Sequence, residues 1–188
     1  MKQICYNNER GEFINNIKNE ENLQKIYQNI NESKKILKCI NNHDAYEFSK
    51  WTFEKTKLRY NSKMPEFPIY NNFIYWCNLG INIGSEQNKI RPVLILRSSK
   101  KSNICTIIPL TSKRINDEYW YHVDLSIIDS TALVEQLRVI SKLRIIKPYR
   151  KKGEMIVISS EDFDSINQQL ENLYRLKPLK QTYIDKTT

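Results

Sequence analysis

The hydrophobic period of this chain changes once, just past residue 66, and that change constrains the fold more than any other feature. Before it, Leu23, Ile26, Ile30, Ser33, Leu37 and Ile40 recur at alternating spacings of three and four, a narrow apolar seam on a helix. Asn41-Asn42-His43 breaks the seam, and Asp44 with Glu47 three residues on predicts the start of a second, shorter helix. Phe48, Trp51, Lys55 and Leu58 continue it until Met64-Pro65 and Pro68. Residues 1–66 therefore read as a helical hairpin packed on the next domain, with an arm for dimerisation or partner docking as the alternative. From Phe73 onward the segments are short and rich in aromatic and branched residues: Phe73 to Leu79, Arg91 to Arg97, Ile104 to Leu110, Tyr119 to Leu125, Ala132 to Leu137 and Met155 to Ile158. Turn chemistry at Asn116-Asp117 and Lys152-Gly153 separates some of them. Strands this short predict a small β-barrel within residues 67–188. Ser159-Ser160-Glu161-Asp162 then caps a closing helix with Phe163, Ile166, Leu170, Leu173 and Tyr174 on one face.

Charge narrows the partners. The 188-residue chain carries a formal net charge of +9, and from Arg138 to Lys152 it has Arg138, Lys142, Arg144, Lys147, Arg150, Lys151 and Lys152 with no acid. Such a run suits a polyanion or a solvated face, and Tyr149 inside it favours nucleic acid. Residues 1–66 hold 12 basic and 9 acidic residues, only +3. Cys5, Cys39, Cys77 and Cys105 are scattered without a C-x-x-C pair, and only His43 and His122 could complete a ligand set, so neither a metal nor another cofactor is expected. The polar opening and the lack of a membrane-length apolar run predict a reduced, cytoplasmic protein without a membrane partner.

The segment Leu79 to Arg97 carries the chemistry. Gly80 and Gly84 permit unusual backbone angles, Ser85, Glu86 and Gln87 supply hydroxyl, carboxylate and amide, and Arg91-Pro92 opens the core strand Val93 to Leu96. A guanidinium at a strand mouth beside a polar loop suits phosphate, because it presents a rigid fork of donors and stays charged. This Gly-x-Glu-Gln loop with Arg-Pro and an aliphatic strand resembles the MazF/PemK family of toxin endoribonucleases. So do Ile107-Ile108-Pro109-Leu110-Thr111-Ser112, similar to the family's second strand ending in Thr-Ser, and Leu133 to Arg144, similar to its Gln-x-Arg segment. The resemblance spans about Phe73 to Leu176, in the family's order. It implies an α+β, mainly β fold, an SH3-like barrel with a C-terminal helix, to which this chain adds its N-terminal hairpin. It also implies a homodimer, a cognate antitoxin and single-stranded RNA as substrate.

RNA can be cut without a metal when the 2′-hydroxyl attacks the adjacent phosphorus, leaving a 2′,3′-cyclic phosphate and a 5′-hydroxyl. The resemblance assigns Arg91 and Thr111 to catalysis. An ordinary guanidinium is a poor proton shuttle, so Arg91 is read as neutralising phosphate while Thr111 donates a hydrogen bond to it. Glu135 falls where some relatives place an acidic residue proposed as the base, but the Arg those relatives carry two positions earlier is Leu133 here. Ser85 replaces the His of some relatives, and Val139 a usual Thr. Ser85, Glu86, Gln87, Ser112, Gln136, Arg138, Lys147, Arg150, Lys151 and Lys152 are the expected RNA contacts. For Glu86, support of the Arg91 guanidinium is the preferred reading. For Gln136 and Arg138, barrel-closing hydrogen bonds and a solvated cation compete with that role, and His122 reads as an ordinary strand residue. The rival functions are a non-catalytic toxin that binds a protein target, as the CcdB gyrase poisons do on the same barrel, and a degenerate RNA-binding module.

Overall fold

The computed structural model describes residues 20–175, so Cys5 and the start of the expected N-terminal extension lie outside the described residues. Two helices come first, α1 (Glu20–Lys38) and α2 (Asn42–Tyr60). Asn41, not Asp44, caps α2, its side-chain oxygen accepting the Asp44 N–H at 2.9 Å. The helix stops at Tyr60, short of Met64-Pro65.

The strands are β1 (Ile74–Asn78), β2 (Ile90–Ser98), β3 (Ile104–Thr111), β4 (His122–Asp124), β5 (Thr131–Leu133), β6 (Arg138–Ser141), β7 (Ile145–Pro148), β8 (Arg150–Lys151) and β9 (Glu154–Met155), and α3 (Ser160–Tyr174) closes the fold. Seven strands form one antiparallel sheet in the order β4-β5-β3-β2-β1-β7, with β6 also paired to β3. The fold is α+β with flanking helices, as expected, but its ladder is open and not a closed barrel. The near-closure is covalent. β6 lies on the β3 edge and β7 on the β1 edge, and the short helical turn Lys142–Arg144 joins the two directly.

Both faces of the central strands are covered, which is why Val93-Leu94-Ile95 and Ile107-Ile108 are continuous apolar runs and do not alternate. On one face Ile74, Leu94, Ile108 and Leu110 pack with Val123, Leu125, Ile128 and the α3 residue Ile166. Tyr75, Cys77, Val93, Ile95, Ile107, Ile140 and Ile145 share the other, joined by Phe67, Ile69 and Phe73 from the linker. The Tyr75 hydroxyl fixes that linker, donating to Pro68 O at 3.0 Å and accepting the Tyr70 N–H at 2.9 Å. Ser159 caps α3, and the buried Asp162 accepts the Ser126 N–H and hydroxyl, tying the helix to the β4–β5 loop.

Three expectations fail for identifiable reasons. The expected strand Ala132 to Leu137 is broken by the helical turn Val134–Gln136, so Gln136 and Arg138 do not share a strand. The basic run is not one solvated face: it holds β6, β7 and β8, and Ile140 and Ile145 within it are buried. The hairpin barely packs. No residue of α1 is buried, and Trp51 is the buried residue of α2. Among the described residues no helix is long and apolar enough to cross a membrane.

Candidate functional site

β2 and β3 bring Arg91 and Thr111 together. Val93 with Pro109 is the last pair of their ladder at this end, and Arg91 and Thr111 each lie two residues past it on their own strands. Strand alternation places both on the face of Val93, Ile95 and Ile107. The Arg91 Nε donates to Asn88 O at 2.9 Å, and its terminal nitrogens have no hydrogen-bond partner among the described residues. Thr111 is 4% exposed, and its hydroxyl accepts the Lys113 N–H at 3.3 Å while keeping its own proton for donation. Ser112 follows on the exposed side.

The β1–β2 loop is held over this face by its own backbone. Gln136 accepts the Gln87 N–H at 2.7 Å through Oε1 and donates from Nε2 to Ser85 O at 3.3 Å. Arg138 donates to Gln87 O at 2.8 Å, and Asn82 donates to the same oxygen. Gln136 and Arg138, expected at the RNA, thus clamp the loop that presents Ser85 and Glu86, both exposed. Glu86 lies in the field of Arg138, and Arg91 is braced by Asn88 O in its place. Gln87 Oε1 is buried without a partner.

Sequence reasoning passed over Arg144. It donates to Leu79 O at 2.9 Å and Asn78 O at 3.3 Å, and its guanidinium stacks 5.2 Å from the Trp51 ring. Burial lowers the affinity of both Arg138 and Arg144 for their protons, and burial pushes the neighbouring Cys77 thiol up to about 12. Gly80, at φ +84°, sits against Trp51 so closely that a Cβ there would overlap the ring. α2 is therefore pinned to the base of the loop.

His122 is no ordinary strand residue. Its Nδ1 lies 2.8 Å from both Asp117 oxygens and its Nε2 lies 3.3 Å from Glu135 Oε1. Only local sequence spacing, Asp117 to His122, hinted at this. Burial opposes ionisation of Asp117, but His122, the Tyr119 N–H and Arg114 together hold its carboxyl below the usual range.

The remaining cations are not gathered here. Lys147 pairs with Trp76 on the β1 edge. Tyr149 donates to Ile74 O, three residues or roughly 10 Å along β1 from the Cys77–Arg91 pair, and β8 continues beyond it. Arg150 donates to Gly153 O and Lys151 to Ile127 O, and Lys152 is exposed.

An open antiparallel sheet with a clamped Arg-Pro loop and a Thr-Ser strand end defines the class of protein. Residues 72–174, more than half of the chain, match the family of PemK-like, MazF-like toxins of type II toxin–antitoxin systems, and the chain belongs to that family. It is similar in structure to MazF from Deinococcus radiodurans, with TM-score 0.47 and 17% identity over 61% of this chain and 100% of that one. A mycobacterial endoribonuclease in complex with its cognate antitoxin is similar at TM-score 0.45 and 14% identity, over 60% of this chain and 100% of that one. No curated protein matches the sequence.

Proposed function

We propose that the protein is a metal-independent, sequence-specific endoribonuclease that cleaves single-stranded RNA in the cytoplasm. It works as a homodimer restrained by a cognate antitoxin, with residues 67–188 as the toxin unit and residues 1–66 as an extension. One observation carries the reading: Arg91 is anchored through Nε with its terminal nitrogens unpartnered among the described residues, at the same end of adjacent strands as Thr111. That arrangement suits a scissile phosphate. The 2′-oxygen bonds to phosphorus, the bond to the 5′-oxygen breaks, and Arg91 and Thr111 stabilise the charge that builds on the phosphoryl oxygens. Glu135 takes the 2′-proton. Ser85, Glu86, Gln87 and Ser112 contact the strand around the cut, while Lys147, Arg150, Lys151 and Lys152 hold phosphates further along it. Membership in a family of toxin–antitoxin toxins supports the antitoxin.

The test is single-turnover cleavage of a long unstructured RNA. Arg91→Ala and Thr111→Ala each slow it by about two orders of magnitude or more while the protein stays folded. A substrate with deoxyribose before the scissile phosphate resists cutting, and EDTA changes nothing. Cleavage of that analogue at the same bond would refute the 2′-hydroxyl route, loss of activity in EDTA would refute metal independence, and parental rates in both variants would move the site elsewhere.

A further inference from the structure

Glu135 is not an isolated carboxylate. The β4–β5 ladder pairs His122 with Leu133, which brings the imidazole beside the turn that carries Glu135. The ring is walled in, its side chain 6% exposed, with the Tyr119 and Tyr121 rings centred 5.2 and 5.1 Å away. Asp117 holds Nδ1 at 2.8 Å and is itself 3.7 Å from Arg114. On the other side, Nε2 reaches Glu135 Oε1, while the Tyr174 hydroxyl bonds the Glu135 carbonyl from α3. Both ring nitrogens thus face carboxylate acceptors. Glu135 Oε2 is buried and has no donor.

We propose that His122 is a positioning residue of the cleavage reaction, acting through Glu135. Asp117 fixes the ring, and the ring donates from Nε2 to Glu135 Oε1, which keeps a second lone pair for the 2′-proton. Orientation of a base by a third group follows the same logic as a hydrolase triad, with carboxylate and imidazole exchanging places. Glu135 is the only base: the 2′-proton passes to its Oε1 as the new P–O bond forms and the bond to the 5′-oxygen breaks, and the departing 5′-oxygen takes its proton from water. The inference rests on the proposed ribonuclease reading and goes beyond it by supplying what Leu133 and Ser85 do not, a neighbour that orients the base.

Single-turnover cleavage by the full chain tests it. His122→Ala lowers the rate up to about 100-fold with little change in KM, the scale of a misplaced catalytic group. His122→Gln, whose amide nitrogen reaches the Nε2 position, restores most of it, whereas His122→Asn, which mimics Nδ1, does not. In a His122→Ala, Glu135→Gln double variant the rate is no lower than with Glu135→Gln alone, because both act through one group. A structural role predicts the opposite: equal rescue by Gln and Asn, and losses that multiply. Either result, or parental activity in His122→Ala, overturns the proposal while leaving the nuclease reading intact. If His122→Ala does not fold, the Gln and Asn pair decides. A parent that cuts no RNA removes both readings together.

Discussion

Leu94 in β2 and Ile30 in α1 sit in equally regular apolar patterns, yet Leu94 is 0% exposed and Ile30 57%. Periodicity specifies a face; it does not supply a partner for that face. The central strands have two partners, α3 on one side and the linker with β6 and β7 on the other. Among the described residues of the arm, Trp51 is the buried side chain, set against Gly80 and Arg144. A region can be well patterned and still add little to the cooperative core.

The comparison breaks if core and arm respond alike. Ile108→Ala, in a fully buried position, should cost about 2–5 kcal/mol of unfolding free energy in urea titrations. Gly80→Ala comes next, losing about 1–3 kcal/mol through overpacking on the indole and an unfavourable positive φ. Adding Trp51→Ala should relieve the overlap and leave the backbone strain, so the two changes should not be additive. Alkaline pH sharpens the contrast further. Burial raises Cys77 from 9.0 to about 12, so the folded state disfavours the thiolate; this stability is complete below pH 9.0 and is lost as pH rises through about 12. Cys77→Val should flatten that decline in a urea-midpoint series, and an unchanged decline would assign it elsewhere. The smallest effect belongs to the arm: Ile30→Ala should stay within about 0.5 kcal/mol.

RNA affinity probes the same division. Neutralising Lys147, Arg150, Lys151 and Lys152 should flatten the salt dependence of binding, by a slope of roughly 0.7 for each single-strand phosphate that no longer meets a cation. Deleting residues 1–66 should leave that slope in place. A folded truncation that no longer binds RNA would make the arm the binding element.

The sheet was legible because Val93 to Leu96 and Ile104 to Leu110 leave few alternatives to buried strands, and Ser159 announces α3. That Arg91 and Thr111 end neighbouring strands was legible in the same way. Arg138 and Arg144 were not, because a guanidinium drawn inward to backbone carbonyls has the same letter as one in water. The His122 cluster was hidden for a different reason. Asp117 and Glu135 reach it from a loop and a helical turn, and the break at Val134–Gln136 inside an apolar segment has no local signal strong enough to locate it.

The fit of Trp51 onto Gly80 joins two positions that the sequence keeps far apart. A side chain at 80 and a ring at 51 are mutually exclusive in this geometry, so the two sites can drift only as a pair. Homologues that carry the arm should keep glycine where they keep the ring, and those that lose the ring should release the glycine to its backbone angle alone. Grafting the arm onto a relative would then succeed or fail at one residue of the recipient, the one standing where Gly80 stands here.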